Sequence, residues 1–206
     1  MRVRVAMESA EIRFQQVYDE YQGKICRYLT RMVGENEAED LTQEVFVKIG
    51  QALETFRGES SLSTWIYQIA TNAALDRLRR SSNNRPSGEK LLPVEAITET
   101  KEDENIWTGE VTASTEQRVI RQEMNGCIRE IIQTLPETYR SVIVLSELEG
   151  LTDSEIADIL GLTLQATKIR LHRARVKLRK ELTTACIFYR DDRQEFACDR
   201  KTPDSD

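Results

Sequence analysis

The segment from Thr152 to Lys180, TDSEIADILGLTLQATKIRLHRARVKLRK, constrains this chain more than any other. Thr152 followed three residues later by Glu155 is the pattern of a capping box. A hydroxyl and a carboxylate there satisfy backbone N–H groups that a helix start leaves free. A first helix over 153–160 then buries Ile156, Ala157 and Leu160. Gly161 supplies the positive-φ turn. A second helix begins near Leu164. In it Thr167, Leu171, Ala174 and Leu178 are spaced four, three and four apart, which makes a core stripe. Two helices joined this tightly make a helix-turn-helix.

At about 100° per residue, the face opposite Leu171 carries Gln165, Ala166, Ile169 and Arg173, with Arg170 and His172 at its edges. That face suits a major groove. Arg173 can reach guanine or phosphate, while Ile169 has only a methyl surface to offer a thymine. Lys168, Arg175, Lys177, Arg179 and Lys180 are placed for phosphates, and each such contact steepens the salt dependence of binding. The bland alternative is a basic amphipathic helix with a solvated face. The cap, the glycine turn and the basic second helix together favour DNA.

The rest of the chain is helical in pattern. It holds 206 residues, enough for one ordinary domain or two small ones, and its 39% hydrophobic share excludes global disorder. Four prolines and nine glycines leave little material for a fold of many turns. The expected class is all-α. Apolar residues recur near a 3.6-residue period over 11–33 (Ile12, Val17, Tyr21, Ile25, Tyr28, Leu29, Met32). Leu41, Val45, Ile49 and Leu53 repeat it over 38–56. A third helix runs from Thr64 to about Arg80, with Trp65, Ile69, Ala73 and Leu78 close to one face. SSNNRPSGEK and the acidic stretch after it read as a linker. Helix returns near Thr115 with Val119, Ile120, Met124, Cys127, Ile128, Ile131 and Ile132. It stops at Leu135-Pro136 and resumes from Glu137 to Leu148. The expected organisation is two small helical domains, 8–82 and 116–183, joined by a flexible acidic linker over 83–115, with a tail over 184–206.

The net charge of −6 argues against a globally basic DNA binder, although local fields decide binding. No apolar run suits a transmembrane helix, and the N-terminus lacks a signal-peptide core. A cytoplasmic protein with reduced cysteines is expected.

One N-terminal stretch, FRGESSLSTWIYQIATNAALDRLRR (56–80), sets a Ser-rich loop before two aromatics, Asn72, Arg77, Arg79 and Arg80. Aromatics that stack on unpaired bases beside cations that hold the backbone suit single-stranded DNA. A loop of small residues can admit a flipped base. Together with DLTQEVFVKI (40–49) and LPETYRSVIVLSELEGLTDSEIADILGLTLQATKIRLHRAR (135–175), this stretch resembles the bacterial extracytoplasmic-function (ECF) sigma factors of the sigma-70 family. The likeness runs in order through nearly the whole chain, to about Leu182.

The resemblance implies a dissociable subunit of RNA polymerase that selects and opens promoters. It implies that Asp40, Gln43, Glu44, Phe46 and Lys48 dock on the β′ clamp helices. Gly58, Ser60, Ser61 and Ser63 would form the loop that captures a flipped base of the minus-ten non-template strand. Trp65, Asn72, Arg77, Arg79 and Arg80 follow beneath it, and Asn72 suits a base edge because its amide both donates and accepts. Gln165, Lys168, Ile169, Arg170, His172, Arg173 and Arg175 would read the minus-thirty-five element, in a domain that meets the β flap. Family members often carry a small hydroxyl residue at position 169 and an aliphatic at 167, so Ile169 and Thr167 put the base preference in doubt. The linker would thread the polymerase channels, and an anti-sigma factor is the expected inhibitor.

In the tail, Cys186 and Cys198 raise a metal or thiol-switch reading, but their spacing is not a zinc pattern. The plainer expectation is that Ile187, Phe188 and Phe196 dock on the second domain and that Cys186 is a small buried hydrophobe. The competing function is a stand-alone helix-turn-helix regulator, which has no use for DLTQEVFVKI. An enzyme is not expected. The chain has no P-loop, no HxE with CxxC and a single histidine. No catalytic residue, cofactor or metal ligand is assigned.

Overall fold

The computed structural model describes residues 2–83, 127–190 and 196–201. The expected linker and the expected helical residues Val119, Ile120 and Met124 lie outside them. The first lobe is α1 (Arg2–Val33), α2 (Glu35–Ala52) with a closing 3-10 turn (Leu53–Thr55), and α3 (Leu62–Asn83). The second is α4 (127–134), α5 (Glu137–Ile143), a π-helical turn (Val144–Leu148), α6 (Asp153–Leu160) and α7 (Leu164–Ala185). A two-stranded antiparallel hairpin, β1 (Cys186–Arg190) and β2 (Phe196–Arg200), ends the described chain.

From Val17 onward the periodic residues of α1, and those of α2, turn inward as expected; the side chain of Ile12 lies outside the described residues. Ile25, Tyr28, Leu29 and Met32 are fully buried, and Leu41, Val45, Ile49 and Leu53 face them. Gly34, at φ 94, takes a conformation that a Cβ would strain, and so turns α1 into α2 within one residue. The core face of α3 is not the expected one. Ile66, Ala70, Ala73 and Ala74 are buried, whereas Trp65, Ile69 and Leu78 are only partly so. Small residues on the inward face let α3 approach α1 closely. Tyr28 Oη and Thr71 Oγ1 then meet at 2.8 Å, a buried hydrogen bond worth about 1 kcal/mol net.

The two lobes share one hydrophobic core. Val142, Ile143, Val144 and Leu145 are four consecutive residues with no exposure at all. A helix standing on one side of a domain cannot bury four in a row. These are buried all round because α7 packs on one side of α5 and the first lobe on the other. Polar groups fasten the same junction. Glu149 accepts from Arg31 at 2.5 Å through Oε1 and from Tyr67 Oη at 2.6 Å through Oε2. Arg140 donates to Met32 O at 2.6 Å, at the carbonyl end of α1 where a cation is favoured.

The hairpin departs from the all-helical expectation, though it is small. Cys186 is buried as expected. Ile187 is instead 49% exposed, because β1 alternates its side chains and Ile187 takes the outer face. Phe188 is half-buried, and the side chain of Phe196 lies outside the described residues.

Candidate nucleic-acid interface

The helix-turn-helix is built from local hydrogen bonds. Thr152 Oγ1 accepts from Glu155 N at 3.3 Å, and Glu155 Oε2 accepts from Thr152 N at 2.9 Å, completing the capping box. The bond from Thr152 N, with a second from Thr152 Oγ1 to the same Oε2 at 2.7 Å, holds the Glu155 carboxyl below its ordinary pKa, because both favour the charged form. Gly161 closes α6 in the left-handed region at φ 62. A second cap went unread in the sequence: Thr163 Oγ1 accepts from Ala166 N at 3.1 Å and starts α7.

Thr167, Leu171 and Ala174 form the buried stripe of α7. Its solvent face is rotated from the expected one. Gln165, Lys168, His172, Arg175 and Arg179 are exposed, while Ile169, Arg170 and Arg173 are half-buried. α5 packs against α7, and its Tyr139 stands beside Arg170 and Arg173. Arg170 feels this most, since burial lowers its pKa, though a guanidinium stays charged. Arg175 is not free for phosphate as expected. Its Nε and Nη2 both donate to Glu147 Oε1, at 2.9 and 2.7 Å.

The Ser-rich loop and α3 make the second surface. Gly58 adopts φ 73, and no neighbour lies within 4 Å of a Cβ placed there, so the loop is open at that point. Ser61 has a structural job besides: its Oγ accepts from Thr64 N at 3.0 Å and caps α3. Ser60 and Ser63 are half-exposed. Trp65, Asn72 and Arg79 sit seven residues apart, on one side of α3. Asn72 and Arg79 are exposed, and Trp65 is half-buried against Phe56, ring centroids 5.0 Å apart. Arg79 lies 3.6 Å from Asp76 and from Glu137. Arg80 is exposed on the adjoining side.

Two aromatic and cationic expectations are corrected. Tyr67 is 5% exposed and packs edge-on to Tyr28, so it is core and not a stacking platform. Arg77 points away from the Asn72 row. It donates to Glu37 at 3.3 Å and to Glu44 at 2.6 Å, binding α3 to α2.

On α2, Asp40, Gln43, Glu44 and Lys48 are exposed. Phe46 is not available to a partner. It is 3% exposed and packs edge-on against Tyr18 at 4.9 Å, because it lies one residue past Val45 on the inward side. The apolar member of the exposed face is Val47, at 59%, which the periodicity could have shown since it falls opposite the stripe.

Neither lobe presents its surface to open solvent throughout. Gln68, on the Asn72 side of α3, donates to Asp158 O of α6 at 3.4 Å. Among the described residues no helix is long and apolar enough to cross a membrane.

Residues 17–84 match the family model Sigma-70 region 2, and residues 125–178 match Sigma-70, region 4. The chain is 32% identical over 185 residues to the ECF RNA polymerase sigma factor SigW of Bacillus subtilis, covering 88% of this chain and 95% of that one. It is 34% identical over 158 residues to the ECF RNA polymerase sigma-E factor of Escherichia coli K12, covering 75% and 78%. The solved structure of CnrH in complex with the cytosolic domain of CnrY superposes with a TM-score of 0.58 at 22% identity, covering 87% of this chain and 95% of that one. That of the sigma factor RpoE in complex with the anti-sigma factor NepR from Bartonella quintana gives 0.57 at 20%, covering 82% and 96%. At such identities these two show the fold. Two matched regions in order, on a capped helix-turn-helix and a helical lobe with its own basic face, lead to one conclusion: the chain belongs to the ECF RNA polymerase sigma factors of the sigma-70 family, which direct RNA polymerase to promoters.

Proposed function

We propose that three helices divide the work of initiation. The exposed face of α2, with Asp40, Gln43, Glu44 and Lys48, docks on the β′ clamp helices of core polymerase. The open loop at Gly58 and Ser60 takes a flipped base of the minus-ten strand, and Trp65, Asn72 and Arg79 hold the strand below it. The face of α7 with Gln165, Lys168 and His172 meets the minus-thirty-five duplex, on a lobe that rests on the β flap. Ile169 and Arg173 reach it from the rim. The net charge of −6 fits this division, because most DNA affinity is then borrowed from the polymerase.

The observation that carries the reading is the row Trp65, Asn72, Arg79 on α3. Its stacking ring, its amide and its cation face one way, and Arg77 anchors the opposite side to α2. Base stacking on such a ring is worth roughly 1–3 kcal/mol, similar to the cost of unstacking a base, so a melted strand can be trapped without ATP.

The packed lobes imply a conformational step. Promoter elements about 25 base pairs apart lie about 85 Å apart along the duplex, at 3.4 Å per pair. Lobes that share one core cannot span that distance, so they separate on polymerase. The packed form is the one an inhibitor would keep. A protein of the anti-sigma class is the expected inhibitor, in line with the partner named for the RpoE neighbour. Work on promoters makes the chain cytoplasmic.

Run-off transcription with core polymerase on the promoter of the chain's own gene tests the reading. Specific transcripts that require the chain are expected. No complex with core, together with specific duplex binding by the chain alone, would replace it with a stand-alone regulator.

A further inference from the structure

Three of the four cysteines converge at one end of the second lobe. Cys26 stands apart on α1. Cys127 opens the described part of α4, and its Sγ lies 3.3 Å from Sγ of Cys186, which is 59 residues later and 2% exposed. Cys186 pairs with Arg200 in the hairpin, and Phe188 pairs with Cys198. Directly paired residues share a face, so Cys186 and Cys198 lie on the same face on a diagonal. Arg200 on that face binds Glu130 of α4 at 2.9 Å and presses the hairpin onto the helix that carries Cys127. Among the described residues no group of three His, Cys, Asp or Glu is arranged to hold a metal ion, so the chemistry to consider is that of the thiols themselves.

We propose that Cys127 and Cys186 are a reversible disulfide pair, a thiol–disulfide site that ties the end of the DNA-reading helix α7 to the start of α4. A disulfide needs an S–S distance of about 2.05 Å, so the two sulfurs must close by little more than 1 Å. Cys198 stands on the diagonal and also hydrogen-bonds the Cys186 thiol, so it is the third thiol of the cluster, while the 3.3 Å contact selects Cys127 as the first partner. The co-reactant is a small disulfide, RSSR. The thiolate of the more exposed Cys127 attacks one sulfur of RSSR and expels RS⁻, which takes up a proton. The Cys186 thiolate then attacks Cys127 Sγ in the mixed disulfide and expels the second RS⁻. Two protein thiols and RSSR become one protein disulfide and two RSH, and two electrons pass to the small molecule.

The surroundings set how readily this occurs. Burial raises the Cys127 pKa first, and the Cys186 thiol and Glu130 raise it further while Arg200 opposes them. Burial also raises that of Cys198, with Cys127 and Asp199 adding to it and Cys186 opposing. Cys127 and Cys198 therefore rest protonated near neutral pH, and attack by Cys127 accelerates as pH rises. The cross-link closes a long loop of the unfolded chain, so it stabilises the second lobe.

The test equilibrates the full chain with reduced and oxidised glutathione at graded ratios, then counts thiols and maps peptides by mass. The expected result is a loss of two free thiols, a linked peptide containing Cys127 and Cys186, and a thermal midpoint raised by roughly 5 °C or more. Cys127→Ser, at a half-exposed position, abolishes the link, and Cys198→Ser retains it. A Cys186–Cys198 link in the unaltered chain, a cross-link between two chains, or four free thiols under oxidising buffer would each overturn the proposal.

Discussion

The helices α3 and α7 are both 22 residues long, both carry several arginines, and both are proposed to meet DNA. They are held differently. α3 packs against α1, α2 and α6, with the fully buried Ile66, Ala70, Ala74 and Thr71 at its core and Arg77 bridged to α2. α7 packs against α5 and α6 and leaves a broad basic side in solvent. The difference in enclosure fits the proposed division of labour. A helix gripped from three directions can hold one row of side chains in fixed geometry, which a single flipped base requires. A helix that stands proud can enter a groove and gain most from charge, which duplex binding rewards.

Core truncation should break this contrast most sharply. Ile66→Ala removes a side chain with no exposure and is expected to cost about 3 kcal/mol in urea unfolding. Leu178→Ala, on the partly buried end of α7, is expected to cost about 1 kcal/mol. Equal losses would mean that the two helices are equally enclosed.

The next effect concerns the junction. Glu149→Ala strips Arg31 and Tyr67 of a shared, mostly buried partner, a loss of about 2 kcal/mol from the packed form. Small-angle scattering should show a larger radius of gyration. An unchanged radius would mean that the apolar core alone holds the lobes.

Thr152→Ala removes the cap of α6 and should cost the second lobe about 1 kcal/mol at neutral pH. Because the folded Glu155 pKa is depressed, its contribution is complete above the ordinary value of 4.5 and is lost as pH falls through the lower folded value. The difference between variant and parent should therefore shrink in acid, and urea midpoints at several pH values read it. The smallest effect separates the two surfaces by salt. Lys168→Ala should lower the salt slope of duplex binding by about one, and Asn72→Ala should leave it unchanged.

What the sequence disclosed follows the range of the forces involved. The α1 stripe from Val17 onward, the α2 stripe, the capping box and Gly161 depend on residues within a turn of each other, and each stands where the pattern puts it. The inward face of α3 was misphased because small alanines carry little hydrophobic signal, while Trp65 carries a great deal. The run Val142–Leu145 was a missed clue, since four apolar residues in succession demand cover on every side. Arg31 with Glu149, and Cys127 with Cys186, join residues 118 and 59 apart, and no local pattern announces them. The same holds for Phe46, whose burial depends on Tyr18 of another helix.

The most direct measurement compares Asn72→Ala with the parent chain on a supercoiled promoter with core polymerase, reading unpaired thymines by permanganate and core affinity separately. Contacts to one base worth roughly 1–3 kcal/mol predict a fall in open complex of about fivefold or more, with core affinity unchanged. Full opening by the variant would contradict the assignment of α3 to the melted strand, and loss of opening and core binding together would mean that Asn72 supports the fold.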